Sequence, residues 1–283
     1  MKSARERYSG RLILRNSRIH PECLGTPDGL VFPHEKTLIK REEKTLIWRK
    51  ALGVDGVGVV KMYRQRGFLI WHQERASNFR VQREFKTLLM LESAGVPCSA
   101  PLLWGFGSTA EHGRFEILVT REIPGAVNLR QAFSTGVTSL LLDHLRSLIE
   151  GIRLMHQCGV YHGALLPKNV LVTRTPERQH VFHLVDLARA IRFPNDVHRT
   201  AMARYDLLSL LHGLGSLYSG INCEVLLSHY GLSKSGVREL LDQLMWYRYR
   251  STRPLRNRLA FIFQVRSLAE SLRKRRLAGE KKT

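Results

Sequence analysis

Acidic residues are what this chain of 283 residues is short of: 24 Asp and Glu stand against 45 Lys and Arg, giving a net charge of +21 and a pI near 10.5. A surface so poor in carboxylates argues against a cationic partner and points to an anionic one, whether nucleic acid, anionic lipid or phosphorylated sugar. Cysteine is scarce too. Cys23, Cys98, Cys158 and Cys223 lie far apart with no C-x-x-C pair, which excludes the usual zinc modules and suits a reducing compartment. No uncharged apolar run approaches the roughly 18 residues of a membrane-spanning helix. Nor does Met1–Arg18 hold the apolar core of a signal peptide, because Arg5, Glu6, Arg7, Arg11 and Arg15 interrupt it. The expectation is a cytoplasmic protein, soluble or peripheral to a membrane. With 43% hydrophobic residues, it has apolar mass enough for one large domain or two packed lobes.

A basic, loose leader with Pro21, Pro27 and Pro33 is expected over 1–35. From Lys36, runs rich in β-branched and aromatic residues predict strands at 37–40, 45–50 and 57–63, the last two joined through Gly53-Val54-Asp55-Gly56. The two-residue period of the third strand puts Lys61 on one face with Val59 and Tyr63. Asn78 suits the cap of a helix whose Val81, Phe85 and Leu88 form an apolar stripe, with Glu84 beside it and Gly95 and Pro97 as its stop. Strands at 101–106 and 115–121 flank a turn at Glu111-His112-Gly113, and Glu122-Ile123-Pro124-Gly125 reads as a linker. Leu141, Leu145, Leu148, Ile152 and Met155 recur at steps of four, three, four and three, an amphipathic helix that Gly159 ends. Strands at 170–173 and 181–185 follow. An irregular stretch then lasts until Asp206, which opens an apolar helix, and 232–244 and 259–272 also read as helical.

The pattern is α+β: an antiparallel sheet with one helix over 36–123, a mainly α part over 124–265, and a basic tail over 266–283. In the tail, Arg273, Lys274, Arg275 and Arg276 form either an anionic-surface site or a solvated terminus.

The chemistry gathers in Tyr161-His162-Gly163-Ala164-Leu165-Leu166-Pro167-Lys168-Asn169-Val170-Leu171-Val172, answered by Leu184-Val185-Asp186. Asn169 at the lip of one strand and Asp186 at the end of another offer two hard oxygens suited to one magnesium ion. Taken singly, Lys61 and Glu84 are ordinary solvated charges. In order and spacing, Lys61 on a third strand, Glu84 on the next helix, the His162 to Asn169 loop, Asp186 and Asp206 together resemble the protein-kinase-like fold. The His162-Gly163 pair, Asn169-Val170-Leu171-Val172, Asp186-Leu187-Ala188-Arg189-Ala190 and Tyr63-Arg64-Gln65-Arg66-Gly67 resemble the bacterial lipopolysaccharide core kinases, the Kdo/heptose kinase family. The loss of the loop aspartate is similar to its InaA-like branch.

The resemblance implies a two-lobe fold that binds ATP through Lys61 and Glu84 and Mg²⁺ through Asn169 and Asp186. His162 and Asp206 would be structural supports. It also exposes departures. Ala164 stands where the catalytic aspartate belongs, Leu166 where protein kinases carry a lysine, and the first turn, Lys40-Arg41-Glu42-Glu43-Lys44, has no glycine, leaving Lys40 or Lys44 to reach phosphates by side chain. No A-P-E motif follows Asp186, which favours a phosphorylated glycolipid or sugar acceptor over a protein.

Three functions are therefore open. One is a kinase moving the ATP γ-phosphate to a sugar hydroxyl of the lipopolysaccharide core, and another is a pseudokinase acting in binding or regulation. The third is anionic-membrane or nucleic-acid binding through the basic tail. Without a zinc finger or an RNP-like aromatic motif, nucleic acid ranks below the anionic inner membrane.

Overall fold

The computed structural model describes residues 11–15, 18–19, 30–64, 79–134, 138–176 and 179–247. The tail with Arg273, Lys274, Arg275 and Arg276, the helix expected at 259–272, Asn78, Cys23 and 65–67 lie outside the described residues. In chain order the first elements are β1 (Arg11–Arg15), β2 (Leu38–Arg41), β3 (Thr45–Ala51), β4 (Val57–Arg64), α1 (Arg80–Ser93), β5 (Pro101–Thr109), β6 (Gly113–Arg121) and β7 (Val127–Asn128). They continue as α2 (Leu129–Ser134), α3 (Thr138–Gln157), β8 (Val160–Tyr161), β9 (Val170–Arg174), β10 (His180–Leu184), β11 (Ile191–Arg192), α4 (Ala201–Gly215), α5 (Cys223–Tyr230) and α6 (Lys234–Trp246). Contacts divide the chain into two compact units: residues up to 127 with 170–188, and 128–169 with 189 onward.

The first unit is built on an antiparallel six-stranded sheet of order β1-β5-β6-β4-β3-β2. Its two faces are both apolar because alternate residues of the strands point opposite ways. On one face Leu46, Trp48, Val60, Met62, Leu103, Phe115, Ile117 and Val119 are buried in a single cluster. The other face carries Lys61 and Tyr63 and receives α1 through buried Val81, Phe85, Leu88 and Leu91. One helix covers only one face. The leader supplies the second cover: Ile19, Leu30 and Val31 are buried in the Trp48 cluster, and Arg11–Arg15 pairs with β5. The expectation of a loose leader is corrected here. Burying such side chains is worth about 1.5–3 kcal/mol each, reason enough for a basic segment to fold back over an otherwise wet sheet face.

The helix α1 also starts differently from expectation. Its N-cap is Phe79, whose side chain makes no cap bond, and the Val81 N–H donates instead to Glu116 Oε2 on β6 at 3.0 Å. The β9–β10 hairpin joins this unit by the Leu184 N–H to Pro97 carbonyl bond at 2.9 Å and a bridge between Cys98 and Leu184.

The second unit is helical. Leu145, Leu148, Ile149, Ile152 and Met155 of α3 are buried, as the apolar stripe requires, and α3 packs on α5 while α4 packs on α6. Asn222 caps α5 by accepting from the Val225 N–H at 3.1 Å, and Ser233 caps α6 by accepting from the Gly236 N–H at 3.2 Å. Asp206 does not open α4: the helix begins five residues earlier, at Ala201. Its carboxylate is engaged elsewhere, as shown below. No helix among the described residues is long and apolar enough to cross a membrane. Cys98, Cys158 and Cys223 are free thiols.

Candidate functional site

In the first unit the strand period and the helix period bring three expected residues together. Lys61 points from β4 toward α1 with its Nζ 3.2 Å from Glu84 Oε1 and 2.5 Å from Asp186 Oδ1, just past β10. Burial alone would push the Lys61 ammonium down; the carboxylates of Glu84 and Asp186 outweigh it and hold its pKa above the ordinary value, so it stays a cation. Glu84 is 3% exposed, so the edge-of-stripe position that could have been solvated is an inward one. Asp186 has φ +61, the one positive φ at a residue other than glycine among the described residues. Asp tolerates this conformation better than most residues, and such strain clusters at functional sites. Its side chain is 45% exposed, leaving carboxylate surface beyond the Lys61 contact.

The turn between β2 and β3 closes through reciprocal bonds between Glu42 and Thr45, and Lys40 Nζ pairs with Glu42 at 2.7 Å. The turn has no glycine, and the half-exposed Lys40 already has Glu42 as a partner.

In the second unit the loop after β8 is held from below. Asp206 is fully buried, and its two oxygens accept the His162 N–H at 2.7 Å and the Gly163 N–H at 3.0 Å. Gly163 has φ +73, and a Cβ there would lie 2.7 Å from the Arg189 carbonyl oxygen, so only glycine fits. His162 is buried within the fold. Downstream, Asn169 is 7% exposed and donates its Nδ2–H to the Ala164 carbonyl at 2.8 Å. Ala164 brings only a methyl group to this loop.

Arg80, His156 and Tyr230 escaped the sequence reading, and Tyr63 was placed there without its bond to Glu84. Tyr63 donates its hydroxyl to Glu84 Oε2 at 3.3 Å, under an Arg80 guanidinium 3.9 Å from its ring centroid. In the second unit His156 Nε2 faces Asp206 Oδ2 at 3.3 Å and its Nδ1 lies 2.6 Å from the Tyr230 hydroxyl, which donates to the His198 carbonyl at 2.9 Å. A polar His156 inside the apolar stripe of α3 was the available signal.

Among the described residues no three His, Cys, Asp or Glu side chains are grouped to hold a metal ion. A magnesium ion carried on nucleotide phosphates needs no such cage, only one or two protein oxygens. In the first unit, the half-exposed carboxylate of Asp186 is an oxygen of the kind such an ion takes.

No curated protein sequence matches the chain. Among solved structures, WaaP in complex with acyl carrier protein is 17% identical, over 88% of this chain and 98% of that one, with a TM-score of 0.57. The Rio2 kinase complex with ADP/Mg²⁺ and phosphoaspartate from Chaetomium thermophilum is 15% identical, over 82% and 72%, with a TM-score of 0.48. The first likeness establishes an α+β, kinase-like fold. The model of the lipopolysaccharide kinase (Kdo/WaaP) family matches residues 45–211, more than half of the chain, and the protein belongs to that family.

Proposed function

We propose that the protein binds ATP with Mg²⁺ and acts as a phosphotransferase on a sugar hydroxyl of the lipopolysaccharide core. The observation that carries this reading is the Lys61 ammonium held between the carboxylates of Glu84 and Asp186. Lys61 would neutralise the nucleotide phosphates with Glu84 fixing its direction, and Asp186 and Asn169 would hold Mg²⁺, which supplies charge neutralisation to the transferring phosphoryl group. The acceptor oxygen bonds to the γ-phosphorus as the bond to the bridging oxygen breaks and ADP leaves. The acceptor proton passes to water, since Ala164 cannot take it.

Nucleotide binding is tested by thermal unfolding of the full chain with and without ATP and Mg²⁺. A ligand at 100 times its Kd stabilises by about 2.7 kcal/mol, and the expected shift is lost in Lys61→Met and loses its Mg²⁺ dependence in Asp186→Asn. No shift in the wild type sinks the reading. Transfer is tested with labelled ATP and purified core acceptor, against Asp186→Ala as the blank.

A second reading, a pseudokinase of the InaA-like kind, is favoured by Ala164. The loop keeps its Asp206 and Asn169 bonds without any aspartate at that position. General bases contribute about 10²–10⁴ in rate. If the wild type is a pseudokinase, Ala164→Asp raises transfer by that order from near the blank; equal turnover by both chains removes the idea. The basic tail is a third proposal, a contact with anionic lipid at the inner membrane. Since the WaaP structure holds acyl carrier protein, a carrier-protein partner is a further one, open to a pull-down with purified components.

A further inference from the structure

We propose that Tyr63 is a positioning residue for the nucleotide, acting through Glu84 on Lys61. The inference rests on the reading of Lys61 as the phosphate-binding lysine. Tyr63 lies two residues beyond Lys61 on β4, on the same face of the sheet, and is buried, at 6% exposure. The two side chains divide one carboxylate between them: the Lys61 ammonium takes Glu84 Oε1 at 3.2 Å and the Tyr63 hydroxyl takes Oε2 at 3.3 Å. Each oxygen of a nearly dry carboxylate thus has its own donor, and the carboxylate plane is fixed by two points rather than one.

That second point matters because Lys61 is contested. Asp186 holds the same ammonium at 2.5 Å, closer than Glu84 does. A Glu84 carboxylate free to rotate about its last torsion loses its hold first, which leaves the ammonium to Asp186. Tyr63 resists this twice over. Its hydroxyl anchors Glu84, and its ring face lies 5.2 Å from the Lys61 nitrogen, within cation–π range. Burial first, and then the Glu84 charge, push the phenol well above its ordinary pKa, so the hydroxyl stays a donor at any working pH. The Arg80 guanidinium over the same ring ties the assembly to the first turn of α1.

This chain also has more need of such an anchor than one with a glycine-rich loop. The β2–β3 turn is closed on itself without glycine, so Lys61 carries a larger share of phosphate placement.

The test is ATP titration of the full chain with Tyr63→Phe, Glu84→Gln and the double variant, with unfolding midpoints without nucleotide confirming that each is folded. Tyr63→Phe, which deletes one oxygen atom, is expected to weaken ATP by roughly tenfold, the order of one hydrogen bond to a charged group. The double variant is expected to bind no more weakly than Glu84→Gln, because the tyrosine works through the glutamate. Wild-type affinity in Tyr63→Phe overturns the proposal, as do additive losses in the double variant. If the wild type itself binds no ATP, the nucleotide reading has failed and this inference falls with it, a result separate from the other two.

Discussion

Asp206 holds the loop after β8 by its backbone. Its oxygens hold the His162 and Gly163 amides and face His156, and none of these groups reaches water. A buried carboxylate in this position is stable only while its donors stay in place. Tyr230 is what keeps His156 in place, since the phenol gives its hydrogen to the His198 carbonyl and meets the imidazole Nδ1 with its oxygen. Burial and then the Asp206 charge hold the Tyr230 hydroxyl above its ordinary pKa, so the phenol keeps its proton. Tyr230→Phe leaves the Nδ1 position and the His198 carbonyl short of a partner. It is expected to lower stability by about 1–3 kcal/mol, measured by urea unfolding, and to speed amide hydrogen exchange at His162 and Gly163. A stability loss with unchanged exchange at those two amides would mean that Tyr230 braces α5 alone.

At the scale of elements, α1 matters most because it carries Glu84, and its beginning is held by the sheet. Phe79 gives no cap bond, and Glu116, opposite Tyr63 in the β4–β6 register, accepts the Val81 N–H and places a negative charge at the positive end of the helix. Glu116→Ala is expected to cost about 1–3 kcal/mol and Glu116→Gln less, about 0.3–1 kcal/mol, because the amide still accepts. Chemical denaturation of the three chains settles the order, and equal losses would remove the charge from the account. The periods of two and of three to four made β3, β4, α1 and α3 legible, and with them the meeting of Lys61 and Glu84. What failed were boundaries decided by tertiary partners. Asp206 has the look of a helix opener because Asp caps helices, yet its carboxylate serves loop amides 43 and 44 residues away. The leader reads as loose on composition, but the unfilled second face of the sheet recruits it. Tyr63 was placed on its proper face, while its bond to Glu84 depends on side-chain reach that spacing does not encode. The eight residues of α5 were overlooked although Asn222 and Gly231 mark both its ends.

For the whole molecule, a charge of +21 is a long-range property that no single ion pair explains. Residues 266–283 alone hold Arg266, Arg273, Lys274, Arg275, Arg276, Lys281 and Lys282 against Glu270 and Glu280. Near an anionic bilayer each basic residue contributes about 1 kcal/mol, and the attraction decays over a Debye length of about 10 Å at 0.1 M salt. If the acceptor is the glycolipid proposed above, such an attraction would concentrate the protein where that acceptor lies. The full chain is therefore expected to sediment with vesicles containing anionic lipid and not with neutral ones, with binding falling steeply as salt rises. A chain ending at residue 265 should bind at least tenfold more weakly, about 1.4 kcal/mol, while its ATP-induced thermal shift stays that of the full chain. Because the tail would act through charge alone, exchanging Arg273, Lys274, Arg275 and Arg276 for glutamine should reproduce most of the loss. Binding that ignores salt, or survives the glutamine exchange, would place the membrane contact elsewhere on the basic surface.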